Sequence, residues 1–361
     1  MGNRWREIGV ILGLFALVAG CTARGHQPAA LAADSIAEPP RPQQVRLLFA
    51  GDVMCHSPQI TAASKSGAID FSPTFAAVKP LIDSADIAIA NFETVVSPDG
   101  RYTGYPAFSS PRELAEALRD AGFDIALTAN NHCCDRGARG IRSTAACFDS
   151  LGMARTGAFP DSTDYIRHRI LRFTRCNIRF ALLNYTYGTN GIPVPKGCVV
   201  QLIDTLQMAQ DLQQAADADC RIVVLHWGIE YQRMTNTEQL RIKDFLQRQG
   251  VEVIIGSHPH VIQPAACDGK SVFVSSLGNF VSNQRKRYSD GGLIAQVEVE
   301  RAADSTLHYA LTLTPVWVKK PLYEILPPLV ADTLPMTAGE RAQYEQFIAD
   351  TEQLLGQGFV H

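Results

Sequence analysis

The sequence predicts an α/β fold with mixed sheets, and three observations carry that expectation. Six short apolar runs, rich in Val and Ile, read as buried strands, and each stops on residues suited to holding a metal or a phosphate. Capped, amphipathic helical stretches alternate with those runs. Late in the chain, residues 292–299 and 307–318 read as consecutive strands joined by the polar loop 301–306, an antiparallel hairpin that makes the sheet system mixed rather than purely parallel.

The first residues read as an address rather than as fold. Arg4 and Arg6 precede an apolar stretch over residues 8–18, too short to span a bilayer comfortably, which ends in Leu17-Val18-Ala19-Gly20-Cys21. Small residues before a cysteine resemble a bacterial lipobox. Residues 1–21 are therefore expected to be a lipoprotein signal peptide with Cys21 lipidated, and an ordinary signal peptide is the alternative. A lipidated Cys21 would place the protein outside the cytoplasm, anchored to an envelope membrane without a spanning helix. Residues 22–44, rich in Ala, Pro, Gln and Arg, show no apolar period and read as a flexible tether.

The strands follow in order. Residues 45–50 run into Gly51-Asp52, 87–90 into Asn91-Phe92-Glu93, and 125–129 into Asn130-Asn131-His132. Residues 222–225 run into His226-Trp227-Gly228, 251–255 into Gly256-Ser257-His258-Pro259-His260, and 272–274 into Ser275 and residues 276–280. Ligands of open α/β sheets bind just outside the carboxyl ends of strands, so one assembled site is expected there. Between the strands, Ser110-Pro111-Arg112-Glu113 reads as a capping box opening a helix with Leu114, Ala117, Leu118 and Ala121 on one face and Gly122 at its end. Further helices are expected over residues 140–151, from Asp204 with Leu206, Ala209 and Leu212 on one side, and over 237–249 before Gly250. A terminal helix is expected from Thr337, with Glu340 three residues on. The expected domain covers residues 45–320, followed by a C-terminal extension over 321–361.

Composition bounds the function classes. With 46% hydrophobic and 19% charged residues and a formal net charge of −3, the chain can bury a large core and carries no global basic field. A nucleic-acid partner is disfavoured on that ground. Beyond Cys21 the cysteines show no Cys-x-x-Cys spacing, so a zinc ribbon is disfavoured, while export would permit disulfides.

The chemistry sits at the strand ends. His258 and His260, one residue apart where the backbone leaves a strand, can turn towards neighbouring metal positions, and His226 ends another strand. Asp52 and Glu93 add hard oxygen donors, and this mixture of carboxylate and imidazole suits Mn, Fe or Zn. Two ions roughly 3.5–4 Å apart would need one bridging carboxylate, and either Asp52 or Glu93 is a candidate. The Asn131 amide oxygen can ligate as well, while His132 can stay off the metal and act as general acid.

These motifs, as Gly51-Asp52, Asn91-Phe92-Glu93, residues 129–137, 226–231, 258–263 and 276–280, resemble the CapA family of bacterial capsule-synthesis proteins, over roughly residues 45 to 320. The resemblance implies a four-layer α/β/β/α sandwich of two mixed sheets, similar to calcineurin-like metallophosphoesterases. It implies Asp52, Glu93, Asn131, His226, His258 and His260 as ligands of two divalent ions and His132 as the catalytic acid. It also implies a part in making, exporting or anchoring a capsule polymer, typically poly-γ-glutamate, with an anionic envelope polymer or its precursor and capsule-machinery membrane proteins as partners. One departure is plain: those phosphoesterases open with Asp-x-His, whereas Met54 stands two residues after Asp52. His56, or Cys55 beside it, is the candidate to close that position.

Several residues carry two readings. Trp227, Glu230 and Tyr231 can contact substrate, and Trp227 and Tyr231 can equally be core. Asn279, in the last strand-end motif, shapes the pocket against the substrate. Arg285-Lys286-Arg287 can hold an anion or form a solvated basic loop. The leading expectation is metal-assisted hydrolysis of an ester or amide centre with His132 as proton donor. The alternatives are a non-catalytic envelope assembly component with a vestigial site, and an exported phosphodiesterase unrelated to capsule.

Overall fold

The computed structural model describes residues 43–65 and 67–356. The expected signal peptide 1–21, its Cys21 and the tether up to residue 42 lie outside the described residues. In chain order the strands are β1 (Gln43–Val53), β2 (Ile87–Phe92), β3 (Ile125–Leu127), β4 (Ala154–Thr156), β5 (Ala158–Phe159), β6 (Leu171–Arg175), β7 (Ile178–Thr186) and β8 (Val199–Val200). They continue with β9 (Cys220–His226), β10 (Val253–Ser257), β11 (Ala265–Cys267), β12 (Val272–Val274), β13 (Asn279–Val281), β14 (Gly291–Arg301), β15 (Leu307–Lys319) and β16 (Glu324–Leu326).

Among the described residues these strands make two large sheets. The first, of eight strands, runs β16-β15-β14-β1-β2-β3-β4, with β13 pairing β1. Its β1 to β4 half is parallel and its β14 to β16 half antiparallel. The second, of six strands, runs β11-β12-β10-β9-β7-β6, with a parallel centre and antiparallel edges. Strand side chains alternate between faces, and that alternation builds the layers. Leu47, Phe49, Ile89 and Leu127 of the first sheet meet Leu182, Ile222, Val224 and Ile255 of the second in one core between the sheets. Leu48, Ala50, Ala88 and Ala90 point the other way, onto Leu114, Leu118 and Phe148 of two helices. Leu183, Val223 and Ile254 likewise carry Met208, Leu212, Ile242 and Leu246. The molecule is thus a four-layer α/β/β/α sandwich of two mixed sheets.

Three local expectations change. The helix at Arg112–Ala121 is preceded by Pro111 with no side-chain cap, so the Ser110–Glu113 capping box does not form. Ser110 instead pairs its backbone with Val95 and Ser97 and its hydroxyl with Thr94 Oγ at 2.5 Å. The helix Thr205–Gln214 starts where expected, capped by Asp204, but its inner face is Met208, Asp211 and Leu212, and Leu206 is exposed. The helix is turned because buried Asp211 takes hydrogen bonds from Tyr185 Oη at 2.9 Å and from Arg169. Residues 321–356 are integral to the sandwich rather than an appendage. β16 pairs β15, and Tyr344 and Phe347 of the helix Ala338–Leu355 reach the core between the sheets. That helix is opened by the Thr337–Glu340 capping box. No helix among the described residues is long and apolar enough to cross a membrane. Each cysteine among them is a free thiol.

Candidate metal centre

All six strand ends open on one edge of the sandwich. A register shift between Ala50 and Asp52, where β1 meets β2, sets Asp52 beside Asn91. Gly51 is required there, since a Cβ would lie 2.0 Å from the Gly278 carbonyl oxygen. The register of β9 with β10 sets Ser257 beside His226, and His258 and His260 follow in the next turn, both with positive φ. A Cβ on Gly256 would lie 1.9 Å from the Ser275 carbonyl oxygen, so only glycine lets β10 approach that closely.

The donors divide by sheet. Asp52, Glu93 and Asn131 leave the eight-stranded sheet, whereas His226, His258 and His260 leave the six-stranded one. Glu93, His226 and His258 bring ligand atoms within 4.8 Å of one another, and so do Asp52, Glu93 and His260. The two sets are buried and share Glu93. Asn131 joins them through its Oδ1, 2.9 Å from His226 Nε2.

Second contacts orient the donors. The Asn91 amide donates to Asp52 Oδ1 at 2.7 Å and lies 3.2 Å from His226 Nδ1, leaving His226 Nε2 turned towards Asn131 and Glu93. His260 Nδ1 lies 3.1 Å from both Asp52 Oδ2 and Asn279 Oδ1, which directs its Nε2 towards Glu93 at 3.7 Å. The Asn131 amide donates to Asn190 Oδ1 at 3.1 Å, and the Tyr187 ring packs 4.5 Å from that of His258. Asn91, Asn190 and Tyr187 are positioning groups that spacing alone does not disclose.

Electrostatics follow from burial. Burial pushes His226 down to about 3 and His258 to about 2, keeping both imidazoles neutral and able to ligate. Burial also works against charge on His260, but Glu93 and Asp52 outweigh it and raise that group to about 9. Asp52 is pulled down to about 2, because His260 outweighs its burial. Glu93 is driven well above the usual carboxylate range, first by burial and then by Asp52. Both Glu93 oxygens and His258 Nδ1 are buried without a hydrogen-bond partner. An unsatisfied buried carboxylate costs several kcal/mol, roughly, unless a cation or donor meets it. The donor set therefore fits a divalent metal.

The remaining sequence candidates fall into three places. His132 is buried beside the cluster, its Nδ1 2.8 Å from Asp135 Oδ2, with the Phe108 ring edge-on at 4.6 Å. Asp135 also accepts from the Phe108 amide at 2.7 Å, so it is held to orient the imidazole. His56 does not join either buried set. Its Nδ1 accepts from the Asn283 amide at 3.3 Å, its ring packs on Phe108, and it corrects the expectation that it fills the first metal position. Cys55 is buried in the outer core of the eight-stranded sheet and closes nothing either.

Asn279 is another correction. It is fully buried, and its amide is engaged by His260, Gln284 and Ser289, so it orients His260 instead of facing substrate. Trp227 is core, with Nε1 donating to the Ser275 carbonyl at 3.0 Å. Glu230 stays exposed, with a carboxylate oxygen within 4.8 Å of ligand atoms of His258 and His260. The Tyr231 ring lies 6.1 Å from that of His260. Arg285 lines a neighbouring cleft of about 540 Å³ with Lys286, Arg287 and Lys320 and with the carboxylates of Asp290, Glu340 and Asp350, and its guanidinium donates to the Ser282 and Gln284 carbonyls.

The model of the family described as bacterial capsule synthesis protein PGA_cap matches residues 46–284. The chain is 26% identical over 243 residues to the PGA biosynthesis protein CapA of Bacillus subtilis (strain 168), covering 65% of this chain and 63% of that one. It is 27% identical over 234 residues to the capsule biosynthesis protein CapA of Bacillus anthracis, covering 61% and 56%. The match thus spans under two thirds of either relative. Among solved structures, a 5'-nucleotidase from Candida albicans SC5314 aligns with a TM-score of 0.47 at 13% identity, over 85% of this chain and 58% of that one. A hypothetical protein from Thermus thermophilus aligns with a TM-score of 0.44 at 16% identity, over 74% and 99%. With well over half its length matched by that family's model, the chain belongs to the bacterial capsule synthesis protein PGA_cap family.

Proposed function

We propose that this protein is a divalent-metal hydrolase of capsule-polymer synthesis, held at the cell envelope and acting on an anionic polymer, such as poly-γ-glutamate, or on its precursor. The observation that carries the reading is the pair of buried ligand sets sharing Glu93, whose oxygens have no other partner. Asp52, Glu93, Asn131, His226, His258 and His260 would hold two ions, Mn, Fe or Zn, which when bound supply Lewis acidity and a nucleophile at neutral pH. Asn91 and Asn279 hold His226 and His260 in the ligating orientation. His132, oriented by Asp135, delivers the proton to the leaving group from Nε2. Arg285 and Lys286 attract an anionic substrate towards this edge. A lipid on Cys21 anchors the domain beside the membrane proteins of the capsule machinery.

The test has two arms. Purified full-length protein is expected to carry close to two divalent ions per chain, and His258→Ala and His260→Ala to lose them. In cells, His132→Ala is expected to abolish capsule production while leaving metal content unchanged. Absence of bound metal in the wild type sinks the hydrolase reading. Undiminished capsule production by His132→Ala and His260→Ala would establish a non-catalytic assembly role instead.

A further inference from the structure

Asp52 lacks the imidazole that its position calls for. Met54 is buried at 1% exposure, and a thioether is a poor donor to hard cations. His56 is turned onto Phe108 and Asn283. One other donor reaches the cluster, from an exposed position. A Glu230 carboxylate oxygen and ligand atoms of His258 and His260 lie within 4.8 Å of one another.

We propose that Glu230 is a metal ligand, a third carboxylate that joins His258 and His260 and closes the centre from its solvent side. The inference rests on the reading of the cluster as a metal centre. Three observations support it.

The first is the way its loop is held. Tyr231, the next residue, has φ +65° and donates its amide to the Pro259 carbonyl at 2.8 Å. Pro259 lies between His258 and His260, so the backbone bearing Glu230 is fastened to the turn that bears both imidazoles. Buried Gln263 fixes the rest of the loop, donating to the Gln232 carbonyl at 2.8 Å and the Met234 carbonyl at 3.2 Å. Gln263 Oε1 in turn accepts from Gln239 at 2.8 Å and from Ser275 Oγ at 2.9 Å. Such support is what a ligand needs and what an ordinary surface glutamate lacks.

The second is what Glu230 leaves unused. No donor among the described residues bonds its carboxylate, although Lys286 lies close by, 4.0 Å over the neighbouring Tyr231 ring.

The third is charge balance. Asp52 and Glu93 are the carboxylates of the two buried sets. Against two divalent ions they leave a large positive excess in a low-dielectric site, and a third carboxylate reduces it.

The experiment is a titration of Mn²⁺ into chelator-stripped full-length wild type, E230Q and E230D, read by calorimetry and by the spin-coupled signature of paired Mn²⁺ ions. The expected result is two ions in the wild type. In E230Q the weaker site loses at least tenfold in affinity and the coupled signal falls. E230D, one methylene shorter, lies between them. The metal-free melting temperature stays unchanged, because the side chain is exposed. Two ions bound by E230Q with wild-type affinities would overturn the assignment and return Glu230 to substrate contact, visible as a raised KM at full metal load. A wild type that binds no Mn²⁺, Zn²⁺ or Fe²⁺ would overturn both this inference and the hydrolase reading.

Discussion

Glu93 is fully buried, 3.5 Å from His226 Nε2 and 3.7 Å from His260 Nε2, and neither of its oxygens receives a hydrogen bond. Without a cation such a group opposes folding, and with one it becomes the centre of the site. The substitution Glu93→Gln should therefore change sign with metal. In chelator, E93Q is expected to melt at or above the wild type, because a buried uncompensated carboxyl is removed. With excess Mn²⁺ the wild type should gain about 2.7 kcal/mol at a hundredfold excess over Kd, and E93Q should gain much less. Thermal midpoints with and without chelator decide it, and an E93Q that is destabilised equally in both conditions refutes it. At this scale the sequence was informative wherever a donor ended a strand, as at Glu93, His226 and His258. It misled at His56 and Asn279, because spacing says nothing about which way a loop turns. The Asn283 amide and the Phe108 ring claim His56. Full burial behind His260 claims Asn279.

At the scale of elements, a carboxylate links the two sheets at the end of the sandwich opposite the site. Asp219, just before β9, meets Arg179 of β7 at 2.8 Å and Arg301 at the end of β14, also at 2.8 Å. It thereby ties the two sheets together. The Arg179 hydrogen bond holds the Asp219 carboxyl down at about 2, below its ordinary 3.8. A depressed folded-state value means that its stabilisation is complete above 3.8 and lost as pH falls towards 2. Melting curves from pH 6 to 2 should show D219N below the wild type at pH 6, with the gap closing as pH falls from 3.8 towards 2. A gap that persists unchanged at pH 2 would rule out this role. Of the strands that bring these residues together, β9 was legible as an apolar run and the hairpin of β14 and β15 as a change of pattern, whereas β7 was not read as a strand. The helix faces were less legible. Asp211, bonded inside by Tyr185 and Arg169, turns its helix away from the face that Leu206, Ala209 and Leu212 suggest. Ser110 forgoes a cap because its backbone is already paired with Val95 and Ser97.

At the scale of the whole molecule, the short apolar runs were enough to foretell buried strands, but which sheet each strand joins was not legible. That depends on register and on crossovers, and it decides the chemistry, because Asp52, Glu93 and Asn131 come from one sheet and the imidazoles from the other. Glu93 and His226 face each other across that boundary. A cation caught between them acts as a rivet through two plates whose far rims are already clipped by Asp219. Its removal should loosen the near rim alone. Hydrogen exchange on chelation is expected to rise around residues 51–54, 91–94, 226–231 and 257–261 and to stay constant around 43–46 and 219–222. A uniform rise over both rims would contradict it. A bound metal would then be a fastener as well as a cofactor, and the protein stripped of it would stand sprung open at the edge that carries the donors.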